Sequence, residues 1–170
     1  VAILEGGELA FAHGFGTKGV DSVEAVTAST IFRIGSMGKL MTAIGVMSAV
    51  DEGRLDLDAP IRAAIPDLSL TTAESEGLTL RTLLSQQSGL RDYVELEASA
   101  ADEALAEFSS GPGLAENVDF MNPPGLFWNY SNPNFYIAGR ALEAQTGTPY
   151  REAIAERVFA PLHMDRSFLL

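Results

Sequence analysis

Residues 32–50 read FRIGSMGKLMTAIGVMSAV, and this stretch decides how the rest of the sequence is interpreted. Apolar side chains fall on most sides of a helix over residues 36–50, so we expect a buried helix. Its first turn carries Ser36 and Lys39, which share a face because positions three apart are neighbours on a helix. Gly53 follows and predicts the end of the helix. The stretch therefore predicts a hydroxyl and an amine together at the start of a core helix.

Lys39 is the more informative residue of this pair. Only two of the 11 basic residues are lysines, Lys18 and Lys39, and the others are arginines. Burial lowers the pKa of a lysine because desolvation disfavours the ammonium, whereas an arginine cannot lose its proton there. A buried lysine one turn from a serine can therefore activate the hydroxyl without histidine.

A second group of reactive side chains lies in residues 128–135, WNYSNPNF. Tyr130 beside a cationic lysine can share or lose its proton and act as a base, and Asn132 can hold a substrate amide. Structural roles are also consistent with these residue types, and for the Ser36 and Lys39 pair taken alone a structural role is favoured. Ser36 and Asn132 can be helix N-caps, Lys39 can extend to solvent, and Tyr130 can be core. The residues taken singly leave both interpretations open.

The order of elements predicts an α+β fold with an N-terminal β-hairpin and a mainly helical body. Apolar residues 1–4 and 9–13 flank a turn with two glycines, as in a hairpin. Further helices are predicted over residues 80–87, 98–108 (closed by residues 111–113), 132–147 and 149–161. A two-stranded hairpin alone is marginal in water. The only later strand candidate is 168–170.

Composition excludes several classes of function. The net charge of −12 opposes binding to nucleic acid or anionic lipid. The chain has no cysteine, and His13 and His163 lack metal-ligand spacing, so we expect no metal and no cofactor. No apolar run is long enough to span a bilayer, and no signal peptide is visible. Because the sequence starts at Val1, we expect it to be processed, trimmed or partial.

Five segments together resemble one known superfamily. Residues 32–39, with DEGRLDLDAPI at 51–61, resemble the nucleophile helix and following turn of the serine β-lactamase and penicillin-binding-protein superfamily. LLSQQSGL at 83–90 matches its segment ending in Ser-Gly-Leu, and NYSN at 129–132 matches its Tyr-x-Asn motif. Residues 139–164 match the helices that follow. The similarity is greatest to class C β-lactamases, D-alanyl-D-alanine carboxypeptidases and β-lactamase-like esterases.

The resemblance implies a serine acyl-enzyme hydrolase that acts on an ester, an amide or a β-lactam. It assigns Ser36 as the nucleophile, Lys39 and Tyr130 as the groups that exchange protons, and Asn132 as the residue that orients the substrate. The backbone N–H of Ser36 would form half of the oxyanion hole. Such enzymes are periplasmic or secreted, or cytoplasmic if esterase-like, so the location stays open.

Three departures from the family pattern are visible. Gln86-Gln87 replaces the usual His-Thr before Ser-Gly-Leu, where we expect a supporting role, and Pro133 follows the Tyr-x-Asn motif. The late strand bearing Lys-Thr-Gly, Lys-Ser-Gly or His-x-Gly is missing, because no lysine follows Tyr130 and His163 precedes Met164-Asp165. That strand supplies the second oxyanion N–H in the family.

We therefore expect residues 1–170 to be one incomplete β-lactamase/transpeptidase-like domain that lacks most of its central antiparallel sheet. The hairpin, followed by a brief extended lead-in at residues 30–34, would lie within residues 1–34. The nucleophile helix and the helical lobe would occupy residues 35–170. A second chain or a symmetric copy is expected to complete the sheet, because a bare sheet edge favours association.

Two other functions compete with hydrolysis. One is a catalytically inactive member of the same fold that binds or assembles, which the missing late strand favours. The other is an acidic helical interaction protein, which would require every motif match to be coincidence.

Overall fold

The computed structural model describes residues 1–93 and 101–169, in two compact units, Val1–Gly35 and Ser36–Leu170. Part of the predicted third helix, residues 98–100, lies outside the described residues, as does residue 170 of the predicted last strand. The two units are described separately.

The first unit contains the predicted hairpin, which is confirmed. Strands β1 (Ala2–Glu5) and β2 (Glu8–Ala12) pair antiparallel, with Leu4 opposite Leu9. Gly6 and Gly7 connect them with φ of +60° and +86°, the left-handed conformation that a tight hairpin turn requires. Every residue of both strands is exposed. The predicted extended lead-in at residues 30–34 lies in irregular backbone and forms no strand.

The second unit is helical, as predicted. Its helices are α1 (Gly38–Asp51), α2 (Leu80–Leu84), α3 (Ala104–Ser110), α4 (Pro112–Asn117), α5 (Pro133–Thr146) and α6 (Tyr150–Ile154), the last continued by a π-helical turn (Ala155–Phe159). Short 3-10 turns are Gly35–Met37, Ile61–Ala63 and Ala73–Gly77. Helix α5 begins at Pro133 and ends at Thr146, where Gly147, with a φ of +70°, caps it as the sequence indicates.

Three sequence-based boundaries were wrong. Helix α3 begins at Ala104, although the predicted helix included residues 101–103. Helix α2 ends at Leu84 rather than residue 87, because Gln86 adopts a left-handed φ of +60° that no α-helix continues through. Residues 111–113 do not simply close a helix. Pro112 begins the short helix α4 instead, in the first-turn position where its missing N–H costs no hydrogen bond.

The expectation that helix α1 is buried all round was also wrong. Its buried residues are Thr42, Gly45, Val46 and Ala49, whereas Leu40 is 60% exposed. One face of α1 packs closely on α5 and α6. A Cβ atom on Gly45 would lie 2.8 Å from Ile154 and 3.2 Å from Leu142. The glycine therefore permits close helix packing on that face, while other apolar side chains of α1 face outward.

No helix within residues 1–93 and 101–169 combines the length and apolar character needed to cross a bilayer.

Candidate active site

The second unit brings together all four residues that the sequence nominated. Ser36 lies in the turn before α1 and Lys39 in its first helical turn, while Tyr130 and Asn132 immediately precede α5. The Ser36 Oγ atom lies 2.6 Å from the Tyr130 Oη atom. Although more than 90 residues separate these side chains in sequence, packing of α1 against α5 makes them neighbours.

Lys39 connects the other three side chains. Its Nζ atom donates to Ser36 Oγ at 3.2 Å, Tyr130 Oη at 2.6 Å and Asn132 Oδ1 at 2.6 Å. A lysine ammonium has three hydrogens, so these three acceptors use all of its donors. The same Nζ atom lies 4.7 Å from the centre of the Tyr130 ring, where the ring face also favours a cation. Lys39 is partly buried and does not extend to solvent.

The alternative structural roles are not observed for these residues. Met37 occupies the N-cap position of α1, and Asn132 occupies that of α5 without a side-chain capping hydrogen bond. The Asn132 side chain instead bonds Lys39. Tyr130 is 39% exposed, so it is not a core residue.

The surroundings of Tyr130 favour its ionised form. The hydrogen bond from Lys39 is the largest influence that lowers the pKa of the Tyr130 phenol, and the hydrogen bond with Ser36 also lowers it. Partial burial and the Asp92 carboxylate raise the pKa but are outweighed. A phenol that loses its proton more readily than usual therefore lies within hydrogen-bond distance of a serine hydroxyl.

Asp92 also contacts this site, and the sequence analysis missed it. Its Oδ1 atom accepts from the backbone N–H of Asn132 at 2.8 Å and from Asn132 Nδ2 at 3.0 Å. These bonds orient the Asn132 amide so that Oδ1 points to Lys39. The sequence feature that could have indicated Asp92 is its place, two residues after the Ser-Gly-Leu segment.

Gln86, expected to be a supporting residue, lies beside the Tyr130 segment. It is 7% exposed, and its Oε1 atom accepts from the Ser131 N–H at 3.0 Å. Within the described ranges, 1–93 and 101–169, no group of three or more histidine, aspartate or glutamate side chains could hold a metal ion.

Comparison with known proteins places this chain in a family. The family profile described as Beta-lactamase matches residues 1–169. Penicillin-binding protein 4 of Amycolatopsis lactamdurans is 33% identical over 147 residues, covering 86% of this chain and 38% of that protein. A D-aminopeptidase of Brucella anthropi is 30% identical over 173 residues, covering 100% of this chain and 32% of that protein.

A solved structure agrees with the sequence relatives. The D-amino acid amidase from Ochrobactrum anthropi SV3, complexed with L-phenylalanine amide, superposes with a TM-score of 0.67 at 30% identity. The superposition covers 83% of this chain and 38% of the amidase. The chain thus spans 32–38% of the length of these proteins. Because the profile matches nearly every residue and the fold agrees, this chain belongs to the beta-lactamase family.

Proposed function

We propose that this protein is a serine hydrolase that forms an acyl-enzyme on Ser36. The observation that supports it most is that Lys39 Nζ and Tyr130 Oη both lie within hydrogen-bond distance of the Ser36 hydroxyl, the Tyr130 oxygen at 2.6 Å, while Asn132 Oδ1 accepts from Lys39 Nζ. Nucleophilic catalysis by serine requires a base at this distance. Neither histidine is needed for the arrangement.

The proposed reaction begins with proton transfer from Ser36 to the Tyr130 phenolate. Ser36 Oγ then bonds to the substrate carbonyl carbon, and Tyr130 passes its proton to the leaving amine or alcohol as the scissile bond breaks. Water hydrolyses the resulting ester and returns the hydroxyl to Ser36. Lys39 stabilises the phenolate, and the Ser36 backbone N–H would be one oxyanion donor.

Asn132 is proposed to bind the substrate. Its Oδ1 is held by Lys39, and one hydrogen of Nδ2 is held by Asp92, so the second Nδ2 hydrogen is left to donate to a substrate carbonyl. The bond cleaved is an amide, an ester or a β-lactam. Relatives named D-aminopeptidase and D-amino acid amidase support D-aminoacyl amides as the first substrates to test, and the penicillin-binding protein supports a β-lactam probe.

We also propose that residues 1–170 contribute to one β-lactamase-like domain, with a second chain or a symmetric copy adding strands to the β1–β2 hairpin. The full exposure of both strands supports this, because unpaired strand edges readily accept another strand. Sedimentation velocity across a concentration series should show a dimer or a complex with a co-purified chain. A monomer at every concentration, with no co-purified chain, contradicts the proposal.

Intact-mass measurement tests the hydrolase proposal directly. A penicillin or a fluorophosphonate should add one acyl or phosphonyl group, and peptide mapping should locate it on Ser36. Ser36→Ala should show no adduct. Ser85→Ala should react like the wild type, because within residues 1–93 and 101–169 that exposed hydroxyl bonds only the Arg81 carbonyl and the Gln87 side chain.

A catalytically inactive family member that binds or assembles is the second candidate. It predicts no adduct in the wild type even when any completing chain is present. That result would also overturn the hydrolase proposal.

A further inference from the structure

We propose that Gln86 is a positioning residue that holds the Tyr130 phenol against Ser36. The inference rests on the proposed function of this site, and it assigns a specific role to a residue outside the Ser-x-x-Lys and Tyr-x-Asn motifs. Gln86 does not touch the reacting atoms. It acts through the main chain on both sides of Tyr130.

Gln86 bonds both neighbours of Tyr130. Its main-chain carbonyl oxygen accepts from the Asn129 N–H at 2.9 Å, and its side-chain Oε1 accepts from the Ser131 N–H at 3.0 Å. Tyr130 therefore lies between two peptide groups anchored to a single residue. Because the backbone is fixed on each side, only the side-chain torsions of Tyr130 remain to vary the position of the phenol.

A buried network holds the Gln86 side chain in place. Oε1 also accepts from Asn134 Nδ2 at 2.6 Å, and Asn134 Oδ1 accepts from the Ser88 hydroxyl at 2.5 Å. Ser88 Oγ in turn accepts from the Leu90 N–H at 3.0 Å. Asn134, Ser88 and Ser131 are all fully buried, so water does not compete for these bonds. The network links the Tyr130 segment to the first turn of α5.

The backbone conformation of Gln86 also indicates that the glutamine side chain has a specific role at this position. Its φ of +60° is unusual for a residue other than glycine, asparagine or aspartate. Such strain persists where the surroundings impose it, and it is concentrated at functional sites. Asparagine would adopt this φ more easily, but its side chain is one methylene shorter and its oxygen would not reach the Ser131 N–H.

The decisive variant is Gln86→Asn, because asparagine tolerates the left-handed backbone while withdrawing the side-chain acceptor. We expect it to fold and to slow Ser36 acylation by a penicillin by about tenfold to a hundredfold, as small displacements of reacting groups do. The Tyr130 pKa should rise towards its ordinary value as the contacts with Lys39 and Ser36 loosen. Tyrosine-labelled NMR titration, assigned with Tyr130→Phe, measures that pKa independently of any reaction.

Two variants complete the experiment. Gln87→Asn is the matched control, since Gln87 is adjacent and exposed, and within residues 1–93 and 101–169 its side chain hydrogen-bonds only Ser85. It should leave the acylation rate and the Tyr130 pKa unchanged. Gln86→Glu retains an acceptor oxygen for Ser131 and Asn134, and it should recover most of the acylation rate lost in Gln86→Asn.

The outcomes separate the two proposals. If Gln86→Asn keeps both the wild-type acylation rate and the wild-type Tyr130 pKa, the positioning role is overturned. Equal losses in Gln86→Asn and Gln87→Asn overturn it as well. If wild-type Ser36 is never acylated, the hydrolase proposal fails, and the Tyr130 titration alone decides whether Gln86 positions the phenol.

Discussion

Lys39 illustrates how much one side chain determines at this site. Its ammonium bonds Ser36, Tyr130 and Asn132 at once, so each acceptor limits where the other two can lie. The same contact is the largest influence on the acidity of Tyr130. The positions of these side chains and the acidity of Tyr130 therefore depend on the same residue. A substitution of Lys39 should change the pH dependence of Ser36 acylation as well as its rate.

Replacing Lys39 with methionine tests this. The phenolate is the basic form of Tyr130, so acylation should accelerate as pH rises through its lowered pKa. Loss of the ammonium raises that pKa, and the acceleration should move to higher pH. At neutral pH the acylation rate should fall by about a hundredfold or more.

The chain provides a matched control, because Lys18 is its only other lysine and pairs with Glu24. Lys18→Met should have the wild-type pH–rate profile. An unchanged profile in Lys39→Met would show that Tyr130 is not the base.

Asp92 gives a second test at the same scale. Asp92→Ala leaves the Asn132 amide without the acceptor that orients it, and the rate of acylation by a D-aminoacyl amide should fall about tenfold, comparable to losing one hydrogen bond to a charged group. Asp92→Asn keeps an acceptor oxygen and should recover most of that rate. Steady-state kinetics with the same amide measures these rates. Asp67→Asn, at an exposed aspartate, is the control. Equal rates in all three variants contradict the orienting role.

At the level of elements, two glycines with similar backbones have different surroundings. Gly89 in the Ser-Gly-Leu segment has a φ of +77°, and a Cβ atom there would lie 1.9 Å from the carbonyl oxygen of Asn122. Gly147 at the end of α5 has a φ of +70° but no atom within 4 Å of that position. Both positions need the left-handed conformation. Of the two, only Gly89 also needs the absence of a Cβ atom.

This contrast predicts different costs for the same substitution. Gly147→Ala should lower the free energy of unfolding by about 1 kcal/mol, from backbone strain alone. Gly89→Ala adds a clash with backbone and should lower it by about 3 kcal/mol or more. Urea denaturation measures both values. Equal losses would show that the close approach to Asn122 can relax.

For the whole molecule, the contact between α5 and α6 couples stability to pH. Glu143 is mostly buried, and its Oε1 accepts from the Tyr150 N–H at 2.9 Å. Burial raises the pKa of the Glu143 carboxyl, although the Tyr150 N–H and Arg140 partly oppose it. Tyr150 also hydrogen-bonds Thr42 of α1 at 2.6 Å, so three helices meet at this point.

A raised pKa in the folded state means that folding favours the protonated carboxyl. The stability that the protonated Glu143 carboxyl contributes is fully present below the pKa that this group has in the unfolded chain. That stability is lost as pH rises through the pKa of the group in the folded protein. Glu143→Gln keeps the accepting oxygen without a charge, so its stability relative to wild type should increase from acidic to neutral pH. Thermal unfolding across that range measures the difference, with exposed Glu116→Gln as control. A constant difference would contradict the prediction.

Local sequence determined the elements whose signals lie within a few residues. Gly6 and Gly7 specify the hairpin turn, and Pro133 and Gly147 mark the ends of α5, because these residues restrict or release their own backbone torsions. The paired motifs also nominated Ser36, Lys39, Tyr130 and Asn132. The sequence could not show that Asp92 orients Asn132 or that Gln86 anchors both sides of Tyr130.

Those contacts join residues about 40 or more positions apart, so they exist only once the segment that follows α2 has packed against the start of α5. The partial exposure of α1 was likewise decided by packing, since apolar composition does not specify which neighbours a helix meets. Backbone torsional preferences are set by a residue and its immediate neighbours. Contacts between side chains that are distant in sequence depend on how the whole chain folds.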